Sequence, residues 1–257
     1  MFTLFKKKTL RCPSCWKRGG LRPFEKTIDG DGNLSEVTIC SHCTAIIHSS
    51  SLNEVQHNPG SLAQKQNDEG YFQFYNQNEY IKDDIIREID LREDILDYFF
   101  SKTGGHFKNK KFLEIGAGSG FLAIKACQFF EKVFVFDLTL DLIKHSLSKI
   151  GIIPNLYLFD KFDELNEKFD VICLWHCIEH MPDANLVVRK LNKLTKKGGY
   201  IFFQTPLYRI QYLKNCHYFF LGAHSVRILL ENCGYKLLIC DFDTENSFMT
   251  CIAQKRG

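Results

Sequence analysis

The stretch KFLEIGAGSGF, residues 111–121, constrains the fold more than any other part of the 257-residue chain. A short apolar run carries Glu114 near its end, and glycine then occupies positions 116, 118 and 120. Glycine gives up packing and costs backbone entropy, so three within five residues mark a sharp turn or a close approach to another group. The following FLAIKACQFF returns to helical apolar spacing. Strand, glycine loop and helix in that order place the loop at the carboxyl end of a strand, where open α/β sheets bind ligands.

The same alternation runs on. VFVFD, NLYLFD, FDVICLWH and YIFFQTP read as strands, while LDLIKHSLSKIG, DANLVVRKLNKLT and HSVRILLENCG read as helices. KKGG at 196–199 reads as a stop between helix and strand. Strands apolar on both faces and separated by helices specify a parallel sheet covered on each side. KLLICDF and FMTCIAQK follow one another with no helix between them, so the last strand is expected to run antiparallel. The fold class is therefore α/β, doubly wound, with a mostly parallel seven-stranded sheet. Upstream, Ile81, Ile85, Ile89, Ile95, Tyr98 and Phe99 fall near helical spacing and predict one or two amphipathic helices ahead of it.

A dinucleotide loop spaces its glycines G-x-G-x-x-G, whereas this loop is G-x-G-x-G with Phe121 next. Acidic residues sit at successive strand ends: Glu114, Asp137 and Asp160. Asp137 lies where a carboxylate accepting hydrogen bonds from two ribose hydroxyls is expected, and Asp160 suits an adenine edge. For any one of these, a turn or helix-cap role is the simpler account.

Residues 111–206 resemble a class I S-adenosylmethionine-dependent methyltransferase, with LEIGAGSG as its glycine motif, FDVICLWHCIEHMPD as its fourth-strand motif and LTKKGGYIFFQTP leading into strand five. The resemblance implies a Rossmann-like fold and S-adenosylmethionine as cofactor. It implies that Glu114, Gly116, Ala117, Gly118 and Gly120 line the methionine and ribose part. Asp137 and Leu138 would then meet the ribose, Asp160 the adenine side, and Trp175 and His176 the sulfonium. Methyl transfer needs alignment in a water-poor pocket more than a dedicated catalyst. A base is required only if the acceptor loses a proton, and His176, Glu179 and His180 are the candidates, His180 first, with His217 and His224 in reserve.

Eleven cysteines invite a disulfide reading, yet Cys127, Cys173, Cys177, Cys216, Cys233, Cys240 and Cys251 lie in apolar strand or helix patterns, as reduced core cysteines do. The other four form CPSC (Cys12, Cys15) and CSHC (Cys40, Cys43), flanking LRPFEKTI and LSEVTIC around the turn-forming DGDGN. Two Cys-x-x-Cys knuckles about a hairpin are the plan of a zinc ribbon, predicting a structural Zn2+ held by four thiolates. Unliganded thiols, a redox pair, or His42 or His48 as a substitute ligand are the alternatives. Organisation follows: a zinc-ribbon-like module at 1–50, a polar linker at 51–79, and a methyltransferase domain at 80–257 with a lid at 207–223.

The opening MFTLFKKK places its charges after a very short apolar patch, unlike a secretory leader, and no run is long enough to span a bilayer, so a cytoplasmic protein is expected. Net charge is only +3, but Lys6, Lys7, Lys8, Arg11, Lys17, Arg18, Arg22 and Lys26 face a single acid, Glu25, over the first 26 residues. This is a solvated arm or an anion-binding face. N-terminal cysteine pairs ahead of such a core resemble sugar methyltransferases of surface-polysaccharide pathways, implying a nucleotide-sugar or glycan acceptor. The short chain after the core tilts that expectation from carbon to oxygen methylation. The alternatives are an rRNA base methyltransferase holding RNA on its basic ribbon, and a non-catalytic binding protein of the same fold. The acceptor, its methylated atom and the oligomeric state are not fixed by the sequence.

Overall fold

The computed structural model describes residues 10–48, 82–214 and 216–257. The predicted linker at 51–79, Ile81 and Lys6 to Lys8 lie outside the described residues. The described chain forms two compact units. One gathers residues 10–48 with Ile178–Lys190 and Thr205–Thr250, the other residues 82–177 with Leu191–Gln204 and Cys251–Gly257.

The first unit holds a four-stranded sheet in the order β1-β2-β3-β9. β1 (Leu21–Ile28) and β2 (Leu34–Cys40) are the two predicted arms, paired antiparallel from Leu21 opposite Cys40 to Ile28 opposite Leu34. Asp29 shapes the turn between them: its carboxylate accepts the amides of Asp31 (3.0 Å) and Asn33 (2.8 Å) and the Ser35 hydroxyl (2.7 Å). An acceptor-rich side chain bonding the backbone ahead of it is why Asp opens such turns. β3 (Ile46–His48) pairs with β2 and also with β9 (Phe219–Phe220), a strand inside the segment read from sequence as a lid. A cluster of Val37, Leu213 and Phe220, flanked by Ile46, Tyr208 and Tyr212, buries the aromatics of that segment against the hairpin.

A seven-stranded sheet runs in the order β10-β11-β8-β7-β4-β5-β6. β4 (Lys111–Ile115), β5 (Lys132–Phe136), β6 (Leu156–Phe159), β7 (Phe169–Trp175) and β8 (Thr195–Pro206) pair in parallel. β10 (Tyr235–Phe242) and β11 (Phe248–Lys255) follow one another through a short turn, as the missing helix between them required. Phe112, Leu113, Val133, Val135, Val171 and Ile172 are all fully buried, which explains continuous apolar runs in place of alternation.

Two boundaries differ from the sequence expectation. KKGG lies inside β8 and is not a stop: the register shifts where Phe169 faces Thr195 and Val171 faces Tyr200. A side chain at Gly199 would sit 2.9 Å from the Asp170 carbonyl oxygen, so the glycine pair makes a bulge and the strand continues. The helix after the glycine loop (α3, Phe121–Ala126) ends before Gln128, because Phe129 and Phe130 turn into an aromatic cluster with Phe100, Phe107 and Phe112.

The upstream pattern resolves into α1 (Lys82–Asp90) and α2 (Glu93–Thr103), separated by a corner at Leu91 and Arg92. Ile85 and Ile89 of α1 pack on Phe121 and Ile124 of α3, each buried isoleucine contributing about 2 kcal/mol. Lys125 of α3, itself buried, reaches Asp90 (3.1 Å) and Glu93 (2.6 Å) and so clamps the corner from both sides. The remaining helices are α4 (Asp141–Ile150), α5 (Ala184–Leu194) and α6 (Ala223–Asn232). Among the described residues no helix is long and apolar enough to cross a membrane.

Candidate functional site

The glycines answer to packing as well as to a ligand. Gly116, Gly118 and Gly120 all have positive φ (71°, 54° and 75°). A Cβ on Gly116 would lie 2.2 Å from Cys177 Sγ, and one on Gly120 would lie 2.2 Å from Ile143 Cδ1. The loop therefore turns left-handed three times, and at Gly116 and Gly120 it is also pressed against its neighbours, a path that is costly for any residue with a side chain. The Gly118 amide donates to Asp137 Oδ2 at 2.9 Å, and the Thr139 amide to Oδ1 at 3.3 Å, so Asp137 holds the loop in shape.

The loop opens onto a cavity of about 210 Å3. Of the residues expected to bind a cofactor, Glu114, Gly116, Ala117, Gly118, Trp175 and His176 line it, whereas Gly120, Asp137, Leu138 and Asp160 are not among its lining. Leu138 is 39% exposed and Asp160 is exposed. Sequence reasoning missed five members: Ser119, Phe121 and Leu122 beside the glycines, and Glu88 and Arg92, which bond each other at 3.2 Å on the cavity wall. The i,i+4 spacing of Glu88 and Arg92 matches an ordinary solvated helix pair, so nothing in the sequence singled them out.

Glu114 is the unusual group. It is 3% exposed, and its Oε2 has no hydrogen-bond partner among the described residues. Burial pushes its carboxyl up to about 8, the nearby Asp137 charge adds to this, and Arg92 and a backbone bond to Ala123 oppose it. A buried carboxylate oxygen without a donor signals a cationic or hydrogen-bonding ligand in the space it faces. At the end of the neighbouring strand β7, His176 adopts φ 51°, a left-handed conformation rare outside glycine, with its amide bonded to the Gln204 carbonyl at 3.1 Å.

The second constellation is the set of four thiols. Cys12, Cys15, Cys40 and Cys43 are all buried, and their sulfurs lie within 4.8 Å of one another. The knuckles repeat one geometry: Trp16 and Thr44, each directly after the second cysteine, have φ of 62° and 61°. Each turn is closed by a bond to the first cysteine's carbonyl, from Trp16 N to Cys12 O at 2.9 Å and from Thr44 N to Cys40 O at 2.7 Å. Backbone amides of Cys15, Lys17 and Ala45 point at the sulfurs of Cys12, Cys15 and Cys43, an arrangement that stabilises thiolates. A hydrogen bond to Cys43, then burial, holds the Cys12 thiol well above the usual cysteine range, while the same bond pulls Cys43 down to about 5. His42 is exposed, and His48 is engaged with Ser35 at 3.2 Å, so neither joins the thiols.

Within the same unit the first knuckle is anchored to the start of α5. Asn185 donates its amide to the Pro13 carbonyl and its side chain to the Ser14 carbonyl, both at 2.9 Å. The Trp16 indole donates to Asp183 at 3.2 Å, with the Arg11 and Arg189 guanidinium groups 4.8 and 5.6 Å from the ring centroid.

The remaining catalytic candidates fall in this unit too. Glu179 and His180 sit on the short turn Ile178–His180. Glu179 is buried, and His180 lies beside His217, ring centroids 4.7 Å apart. His224 is exposed at the start of α6, away from this pair's cluster. Cys216, read from sequence as a core cysteine, is half-buried next to the two histidines.

Residues 81–238 match the model of the methyltransferase domain family. A ubiquinone biosynthesis O-methyltransferase of Proteus mirabilis (strain HI4320) is 32% identical over 118 residues, 43% of this chain and 47% of that protein. The chain spans about half the length of the curated relatives it matches. Among solved structures, an S-adenosylmethionine-dependent methyltransferase from Clostridium acetobutylicum superposes with a TM-score of 0.51 at 12% identity, covering 74% of this chain and 97% of that one. The magnesium protoporphyrin IX methyltransferase of Synechocystis PCC 6803 with bound SAH gives 0.52 at 12% identity, covering 66% and 86%. Matched over well more than half of its length and folded like S-adenosylmethionine-dependent methyltransferases, the chain belongs to the methyltransferase domain family.

Proposed function

We propose that the protein transfers a methyl group from S-adenosylmethionine to a hydroxyl of a small-molecule acceptor. The observation that carries this is the orphaned Glu114 oxygen facing a cavity walled by a glycine loop and by Arg92. A zwitterionic, cationic ligand of amino-acid and ribose parts fits that donor set: Glu114 holds its ammonium, Arg92 its carboxylate, and the bare backbone of Gly116 to Gly118 lets it approach. Asp137, Leu138 and Asp160 remain the proposed contacts of its nucleoside part. When bound, S-adenosylmethionine supplies an electrophilic methyl on a sulfonium. Trp175 and His176, at the end of β7, line the space that the acceptor would enter. The His176 imidazole takes the acceptor's hydroxyl proton as the carbon–oxygen bond forms and the carbon–sulfur bond breaks. The left-handed backbone at His176 supports a positioned side chain, since such conformations concentrate where function holds them.

Oxygen as the methylated atom is supported by the relatives, which are named ubiquinone biosynthesis O-methyltransferases. The RNA reading loses support because part of the basic arm is engaged within the protein: Lys26 pairs with Glu36, and Arg11 stacks on Trp16. Calorimetric titration with S-adenosylmethionine, followed by transfer of labelled methyl to separate pools of small phenols and alcohols, nucleotide-sugars and structured RNA, tests the proposal. Label in the first pool is expected. Label in nucleotide-sugars or RNA alone would move the acceptor to that class, and no cofactor binding would remove the enzyme reading altogether.

The four thiols are proposed to hold one structural Zn2+. Two matched knuckles with amides aimed at sulfur suit a closed tetrahedral thiolate site, in which the ion stands in for a core the short module lacks. Metal analysis of chelator-free protein should find at least one zinc per chain that Cys12→Ser abolishes, and a folded module without metal would refute it.

A further inference from the structure

We propose that His180, Cys216 and His217 form a second, open transition-metal site. One ligand atom from each lies within 4.8 Å of the others, and all three residues are half-buried. Tetrahedral bonds of about 2.0–2.3 Å put ligand atoms roughly 3.3–3.8 Å apart, so rotamer adjustments of about 1 Å close the set on an ion.

The hydrogen bonds around the rings point the same way. His180 Nδ1 lies 3.0 Å from the Cys216 carbonyl oxygen and His217 Nδ1 lies 2.6 Å from that of Tyr212. A carbonyl only accepts, so in each ring Nδ1 carries the proton and Nε2 carries the lone pair. Histidines that bind metals are held in this way, with the non-ligating nitrogen donating to a backbone carbonyl. An ordinary packed histidine pair has no need of the same tautomer on both rings beside a thiol.

The backbone brings the ligands together before any ion arrives. The Tyr218 amide donates to the Glu179 carbonyl at 2.8 Å, stitching the turn that carries His180 to the segment that carries Cys216 and His217. The His217 amide donates to the Lys214 carbonyl at 3.0 Å and tightens that segment. Two imidazoles and one thiolate are borderline-to-soft donors, which select Zn2+ or Co2+ over Mg2+ or Ca2+. Three protein ligands with partial exposure leave the fourth position to water or to an oxygen or sulfur of a bound molecule, unlike the closed four-thiol set. Binding releases the Cys216 thiol proton to solvent.

The test uses the full chain and the metals themselves. Purified protein is titrated with Co2+, and then with Zn2+ against a competing chelator, in wild type, Cys216→Ser and His217→Gln, with thermal melts recorded alongside. Wild type is expected to bind one equivalent more than either variant, with at least about a 100-fold loss of affinity for that equivalent. The thiolate-to-cobalt absorption of Cys216→Ser should be weaker than that of wild type by the increment that the one extra thiolate adds. Because the readout is the difference from the variants, it stands whether or not the four-cysteine zinc proposal does. Equal stoichiometry in wild type and both variants, or an unchanged cobalt spectrum in Cys216→Ser, would overturn the inference. The matter is decided even if a variant melts early, since a wild-type total no greater than what Cys12→Ser removes refutes the inference.

Discussion

The four-thiol centre and the glycine-loop cavity meet the same problem, buried groups that want charge, with opposite solutions. At the thiols every ligand atom is buried, the two turns are near copies, and backbone amides already face the sulfurs. At the cavity a single buried carboxylate faces an accessible space shared with a partly exposed arginine and histidine. A closed set suits a partner that never leaves, and its loss is read as instability. An open wall suits a ligand that exchanges, and its loss is read as affinity.

The largest effect should come from the closed side. Cys12→Ser is expected to release the metal and lower the melting temperature by about 10 °C or more, because metal-binding energy in such modules is folding energy. Cofactor affinity measured on the surviving fold should change less than tenfold, and an equal collapse of both would erase the contrast.

Next comes Glu114→Gln. Weakening of S-adenosylmethionine binding by about 10- to 100-fold is expected from loss of a charge-assisted contact. Wild-type affinity should pass through a maximum near pH 8, since Glu114 gains its charge only as the pH passes about 8 while the ligand's α-ammonium loses its own at about the same pH, and the variant should lack the rising limb. Stability has the opposite sign. A carboxyl raised from 4.5 to about 8 keeps in the folded state a proton that the unfolded chain has lost, so its contribution is full below pH 4.5 and disappears as pH climbs through 8. Calorimetric melts from pH 5 to 9 check this, and a flat profile would remove Glu114 from the account.

Gly120→Ala should cost about 2 kcal/mol, because the new methyl meets Ile143 at 2.2 Å on a left-handed backbone. Denaturant midpoints measure it, and in an Ile143→Ala background, itself destabilised by its cavity, the same glycine change should cost only the backbone part. Smallest is Lys125→Met, near 1 kcal/mol, since Asp90 and Glu93 are half-exposed and water replaces their partner. A larger loss in cofactor affinity than in stability would show that the α1–α2 corner positions Arg92.

Legibility divides along chemistry. The hairpin arms were readable residue by residue, because LRPFEKTI and LSEVTIC flank a turn whose Asp29 does what aspartate does in any turn. The strand–glycine–helix order and the family resemblance gave the sheet and half of the cavity. KKGG misled because a glycine pair is the same letters in a stop and in a bulge, and only the neighbouring strand decides. Glu88 and Arg92 were hidden for a related reason: a helix pair at i,i+4 reads as surface until the fold closes over it. Cys216 passed as a core residue because its histidine neighbour His180 is 36 residues away in sequence.

The pairing of β9 with β3 has a further consequence, for how this protein behaves in a crowd. A four-stranded sheet has two edges, and each offers bare amides and carbonyls to any passing strand. Here one edge is β9 itself, only Phe219 and Phe220 long, laid over β3, and the other, β1, carries Pro23, a register break between Pro23 and Glu25, and the charges of Arg22 and Lys26. The molecule thus shortens one margin and roughens the other, and a lesion that frees the 219–220 segment would bare the longer flank of β3 to a foreign strand.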